Sequence, residues 1–165
     1  MNPLTATLSE LGDALRAGTL TSTALVEAHI ERIETVNPVV NALVAPRYDE
    51  ARLEAKQADK RLSAAQPDDT LPPLLGIPCT LKEFFATKGM PYTGGILWRK
   101  DMVAESDATV VTRIKDAGAI AMGMTNIPEG GLWMETYNAI YGRTRNPWNP
   151  RHTSGGSSGG EGALV

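Results

Sequence analysis

Cysteine is nearly absent from this 165-residue chain, with Cys79 the single instance. One thiol excludes an internal disulfide and suits a reducing compartment. Histidine is almost as scarce, at His29 and His152, and one Cys with two scattered His makes no zinc site. No cluster of Lys and Arg exceeds a solvated helix face. A formal net charge of -3 and a pI of about 5.4 argue against a nucleic-acid partner. No apolar run reaches membrane-spanning length. Residues 1–7 hold neither a basic n-region nor an apolar h-region. Together these absences set the expectation of a soluble, cytoplasmic protein with no metal and no other cofactor. No internal repeat is present.

What is there suffices for one domain with a real core: 42% of the residues are apolar and 21% charged. The first third reads as helical. Residues 8–17 carry Leu8, Leu11 and Leu15 at helical spacing and end at Gly18. Thr21 or Ser22 caps a second helix with Val26, Ile30 and Ile33 aligned, and Asn37-Pro38 reads as its stop. Residues 39–44 then read as a short strand. A third helix covers about residues 49–64, with Ala51, Ala55, Ala58 and Leu62 inward and a charged outer face. The polar stretch 66–73 is the clearest shift in composition. It divides a helical lobe, about residues 1–66, from the start of an α/β body, about residues 74–165.

In that body, residues 76–81 read as a buried strand with Lys82 at its C-terminal end. Ser106 caps a helix with Val110, Ile114 and Ala117 inward, closed by Gly118. Residues 119–124 are a nearly continuous apolar run, as in a strand covered on both faces. Strand, helix, strand in this order implies a βαβ unit and a mostly parallel sheet. Residues 126–154 are rich in Gly, Asn, Pro and aromatic side chains.

Two places could carry chemistry. Lys82 directly follows an apolar strand and precedes Phe84-Phe85. In open α/β sheets the C-terminal strand ends face the binding crevice. A lysine partly desolvated there has a lowered pKa, and its neutral amine can act as a base. The competing reading is a surface lysine paired with Glu83. The second place is Gly155-Gly156-Ser157-Ser158-Gly159-Gly160. By composition it would pass for a linker. The chain then turns apolar through Gly162-Ala163-Leu164-Val165, as a loop entering a buried helix does. Glycines free φ and let backbone approach a ligand, and a serine pair held there suits acyl chemistry. It is no phosphate loop, since no Lys-Ser or Lys-Thr follows, and the G-x-G-x-x-G spacing of a dinucleotide site is missing. A Ser-His-Asp triad would rest on His152 and has no supporting motif. The Asp and Glu residues fall mainly on helix faces and read as solvated.

Several segments, taken in order, resemble the amidase signature family of serine hydrolases over nearly the whole chain. They are Gly76-Ile77-Pro78-Cys79-Thr80-Leu81-Lys82-Glu83, Gly89-Met90-Pro91-Tyr92-Thr93-Gly94-Gly95, Asp107-Ala108-Thr109-Val110-Val111, Thr125-Asn126-Ile127-Pro128-Glu129 and Tyr141-Gly142-Arg143-Thr144-Arg145-Asn146-Pro147-Trp148-Asn149, leading into the serine loop. The resemblance implies the amidase signature fold, a mixed, mostly parallel central sheet covered by helices, here truncated. It also implies a Ser–Ser–Lys triad in which Lys82 is the base and Ser157, following a cis peptide, is the bridging serine. The family's nucleophilic serine lies in a second Gly-Gly-Ser loop, past Val165, which also supplies oxyanion-hole N–H groups. The stretch Gly131, Leu132, Trp133 corresponds to the acyl-pocket lining and Ser158 to a further substrate-binding position, with core packing the alternative for Trp133. Glu161 and Gly89-Met90-Pro91 lean toward the fatty-acid-amide-hydrolase-like branch, whereas the A subunits of glutamyl-tRNA amidotransferases more often carry Ser at 161. Met124 departs from the Lys that many members have there.

The implied activity is hydrolysis of a small-molecule amide, rising with pH as the lysine deprotonates. A subunit of an amidotransferase complex and a non-catalytic truncated product are the alternatives. The resemblance allows a homodimer of the full-length protein without requiring one. The 165-residue chain by itself is expected to be inactive, and to be marginally stable because residues 119–124 would lie exposed.

Overall fold

The computed structural model describes residues 1–66 and 68–165. Helix α1 (Leu8–Arg16) starts at Thr7, whose hydroxyl accepts from the Glu10 amide while the Glu10 carboxylate accepts from the Thr7 amide. This reciprocal box satisfies two otherwise orphaned donors. Helix α2 (Ser22–Val40) begins after Thr21, whose hydroxyl accepts from the Ala24 amide at 3.1 Å. Asp59, on α3 (Tyr48–Ala64), accepts from the amides of Ser22 and Thr23 and reinforces that start.

The expected stop at Asn37-Pro38 is not found, because Pro38 lies inside α2. A proline near the C-terminal end costs one ladder bond, and the helix closes its next turn through Asn41 N–H to the Asn37 carbonyl at 2.8 Å. Asn41, at φ 51°, then ends the helix. The Asn37 side chain accepts from the amides of Ala42 and Leu43 and donates to the Leu43 carbonyl. The strand expected over 39–44 is therefore displaced to β1 (Leu43–Pro46).

The chain forms two compact units of interleaved segments. One joins Met1–Arg32, Arg47–Cys79 and Arg113–Met122, and the other Ile33–Pro46, Thr80–Thr112 and Gly123–Val165. In the first, Leu11, Leu15, Leu25 and Ile77 form a buried cluster. Ala51, Ala55 and Ala58 are the buried face of α3, as the alanine spacing indicated. The stretch expected to be a loop over 66–73 includes Pro67, which lies outside the described residues.

Strands β2 (Pro78–Lys82) and β3 (Ile120–Thr125) are linked through helix α4 (Thr109–Asp116), and the sheet order is β1-β3-β2. The bonds Ile120 N–H to Ile77 O and Glu83 N–H to Thr125 O advance together, so β2 and β3 run the same way. β1 pairs with β3 antiparallel, and the sheet is mixed. All six residues of β3 are buried, contrary to the expected exposure of 119–124, because β3 is the central strand. Large exposed apolar side chains lie elsewhere, at Trp98, Leu132 and Trp148.

Helix α4 also differs from expectation. It begins at Thr109, leaving Ser106 exposed outside it, and turns Val111 inward while Val110 faces out. The Asp107 carboxylate accepts from the Lys88 amide and the Ala108 amide donates to the Ala86 carbonyl, while the Ala108 carbonyl accepts from the Thr112 amide, so Ala108 joins the start of α4 to a loop.

The second unit adds the antiparallel ribbon of β4 (Tyr137–Asn138) and β5 (Gly142–Arg143), and helix α5 (Gly159–Leu164). Val40, Ala42 and Ala163 form a buried cluster there. No helix among the described residues is long and apolar enough to cross a membrane.

Candidate active site

The end of β2 and the serine loop meet within the second unit. Lys82 Nζ donates to Ser157 Oγ at 2.8 Å and to Ser158 Oγ at 2.9 Å. Both hydroxyls thus have a lysine as partner, while His152 stands exposed on a loop. The pairing with Glu83 that the adjacent acid suggested does not occur. Successive strand residues point to opposite faces, and Glu83 is fully buried on the far side from the serines. Burial pushes the Lys82 ammonium below its usual pKa range, and the Glu161 carboxylate opposes that shift.

The backbone holds the serines in place. The Gly156–Ser157 peptide is cis. Gly155 takes φ 82°, and at Gly156 a Cβ would stand 2.6 Å from the Trp133 carbonyl oxygen, so only glycine fits against that chain. Thr136 is 1% exposed and spans the loop. Its hydroxyl donates to the Gly155 carbonyl and accepts from the Gly159 amide, both at 2.9 Å. Further on, the Gly160 amide donates to the Asn126 carbonyl at the end of β3. Asn126 is itself buried, donating through its side chain to Gly142 O and Thr144 Oγ1 and accepting from Asn138. The stretch after the serines enters α5, as its apolar turn suggested.

The remaining expected positions divide. Ser158 joins Lys82. Gly131 sits at φ 70° against the Phe84 ring, 3.4 Å from where its Cβ would be. Leu132 and Trp133 are 86% and 55% exposed, and what reaches the serine loop is the Trp133 backbone.

Sequence reasoning missed the buried polar groups. Glu83 reads from the sequence as a partner for a surface lysine, yet its carboxylate accepts from Thr93 N–H and Oγ–H, both at 2.7 Å, from Gly94 N–H at 3.0 Å and from the Tyr141 hydroxyl at 3.2 Å. Burial, with the carboxylate beside it, pushes the Tyr141 phenol up to about 12. Thr136 and Thr93 gave no signal, because a buried threonine reads like any other residue in a polar loop. Among the described residues no group of three potential metal-ligating side chains converges.

Residues 24–165 match the model of the family described as Amidase. The chain belongs to the amidase family. This amidase-family chain is 47% identical over 145 residues to human fatty-acid amide hydrolase 2, covering 86% of the chain and 27% of that protein. It is 43% identical over 152 residues to the indoleacetamide hydrolase of Bradyrhizobium diazoefficiens, covering 92% of the chain and 28% of that protein. It also superposes on the solved structure of a fatty acid amide hydrolase with a TM-score of 0.92 at 28% identity, over 99% of the chain and 28% of that structure. The amidase-family chain thus spans roughly a quarter to a third of the length of the curated relatives it matches, 27% to 32%.

Proposed function

We propose that the whole protein hydrolyses the C–N bond of a small-molecule carboxamide by way of an acyl-enzyme, with Lys82 and Ser157 as two members of a Ser–Ser–Lys relay. The observation that carries this reading is the 2.8 Å contact between Lys82 Nζ and Ser157 Oγ in a chain of the amidase family. In the relay, neutral Lys82 takes the Ser157 proton as Ser157 takes that of the nucleophilic serine, which the family resemblance puts past Val165. That serine attacks the amide carbonyl. The proton returns to the departing amine, and water, deprotonated by the same relay, releases the acid. Lysine suits the role because partial desolvation favours its neutral form.

The reading extends to the surroundings. Ser158 and the stretch Gly131, Leu132 and Trp133 border the acyl group, and the protein acts in the cytoplasm on a freely diffusing amide. Likeness to fatty-acid amide hydrolase 2 and to an indoleacetamide hydrolase makes a hydrophobic acyl group the first choice of substrate.

The test is release of ammonia from a fatty acid primary amide and from indoleacetamide by the protein expressed from its native gene, beside its Lys82→Ala variant. Turnover lost in the variant is the expected result. Full turnover in the variant, or turnover that appears only with glutamine and a partner protein, overturns the proposal.

A further inference from the structure

Glu161 is the second acid whose bonding is not legible from residue spacing. It lies on α5, four residues after Ser157, and its two carboxylate oxygens are both engaged. Oε2 accepts from Thr80 Oγ1 at 2.7 Å and Oε1 from Thr125 Oγ1 at 2.8 Å. Thr80 is on β2 and Thr125 is the last residue of β3. Thr80 and Lys82, two apart on one strand, share a face. The carboxylate therefore sits against the same face of the sheet from which Lys82 reaches the serines.

We propose that Glu161 is a positioning residue for the Lys82–Ser157 pair, tying the helix that follows the serine loop to both strands under Lys82 and setting a negative charge against its amine. The inference rests on the relay reading above and adds to it a residue that touches neither serine. Two threonine hydroxyls on two strands fix the carboxylate in position and direction. The first turn of α5, with Ser157 and Ser158 just ahead of it, is then fixed relative to the strand end bearing Lys82. Near-attack geometry depends on such registration, and a displacement of about 1 Å costs on the order of a hundredfold in rate.

The charge has a separate effect. Lys82 donates to the hydroxyls of Ser157 and Ser158 from the loop, and Thr80 from β2 and Thr125 from β3 hold the Glu161 carboxylate of α5. Among the described residues Glu161 is the charged group whose field acts on the amine. It favours the ammonium and counters desolvation, so it sets how far the acidic limb of the rate profile lies below that of an ordinary lysine.

The two effects separate by substitution. In Glu161→Gln the amide oxygen still accepts from one threonine and the amide nitrogen donates to the other, which keeps the tie and removes the charge. In Glu161→Ala both are lost. The experiment measures kcat/KM for amide hydrolysis against pH, with the protein expressed from its native gene, alongside both variants and Lys82→Ala. The inference expects Glu161→Gln to move the acidic limb to lower pH with a plateau close to that of the parent, and Glu161→Ala to lower the plateau by about a hundredfold. An unmoved limb in Glu161→Gln, or an unchanged plateau in Glu161→Ala, overturns it even when Lys82→Ala is inactive. An active Lys82→Ala removes the relay reading, and the inference with it. An unfolded Glu161→Ala leaves Glu161→Gln to decide, because its limb moves only if the charge acts on the base.

Discussion

Lys82 and Glu83 are consecutive at the end of β2 and serve opposite sides of it. The amine reaches Ser157 and Ser158, and the carboxylate, 0% exposed, gathers Thr93, Gly94 and the Tyr141 hydroxyl. One side of the strand end carries the proposed proton relay, and the other fixes the loop that holds the strand end still.

Replacing Lys82 with Ala is expected to lower kcat/KM by roughly 10²–10⁴-fold, the range of a lost general base. Lys82→Arg does not restore it, since a guanidinium keeps its proton throughout the working pH range. Steady-state kinetics on folded variants, with circular dichroism as the folding control, checks both.

The pH profile follows from the direction of the Lys82 shift. Burial holds its pKa down, and the active form is the neutral amine. Activity therefore rises with pH, and the midpoint of its acidic limb lies below the usual lysine value of about 10.4. A rate that falls across that limb, or a midpoint at or above that of an unperturbed lysine, contradicts the assignment of Lys82 as the base.

Ser157→Ala and Ser158→Ala should separate. Ser157 is half-buried and Ser158 exposed, so water can replace the Ser158 contact to Lys82. The expected loss is roughly 10²-fold or more for Ser157→Ala and distinctly smaller for Ser158→Ala. Equal losses count against a relay through Ser157.

Glu83→Ala leaves buried donors at Thr93 and Gly94 with no acceptor. The expected destabilisation is on the order of 3 kcal/mol, read as a lower urea midpoint. A midpoint within error of the parent would show that the loop over residues 89–95 does not depend on the carboxylate.

Thr136→Val removes the hydroxyl between Gly155 O and Gly159 N–H at nearly constant volume. About 1–3 kcal/mol of stability should be lost, together with turnover, as the serine loop loosens. Gly156→Ala places a methyl against the Trp133 carbonyl and should cost a similar amount by overpacking. Stability and kcat measured together decide: lost stability with unchanged kcat would mean that the loop keeps its geometry without these contacts.

Hydrophobic spacing made much of this legible. Leu11 and Leu15, the alanines of α3 and the apolar run of β3 each fell on the face they were expected to bury. Lys82 and Ser157 stand out from a strand end and a glycine loop, and the fold brings them within 2.8 Å of each other. Side chains that bond to backbone were illegible. Asn37 reads as a helix stop, yet its amide group carries the chain onward into β1. Val110 and Val111 are equally apolar, and their spacing does not say that Val111 is the one that faces in. Glu83 and Glu161 look like any surface acids, because the hydroxyls that bind them come from residues 10 to 81 positions away.

The relay contact joins residues 75 apart in sequence. At the ribosome's pace of about 5–20 residues per second, Ser157 emerges roughly 4–15 s after Lys82. Throughout that interval Lys82 lacks the hydroxyls of Ser157 and Ser158 to which it donates in the folded chain. Closure of the Lys82–Ser157 pair is thus set by the order of synthesis, since the contact waits until the serine loop has been made.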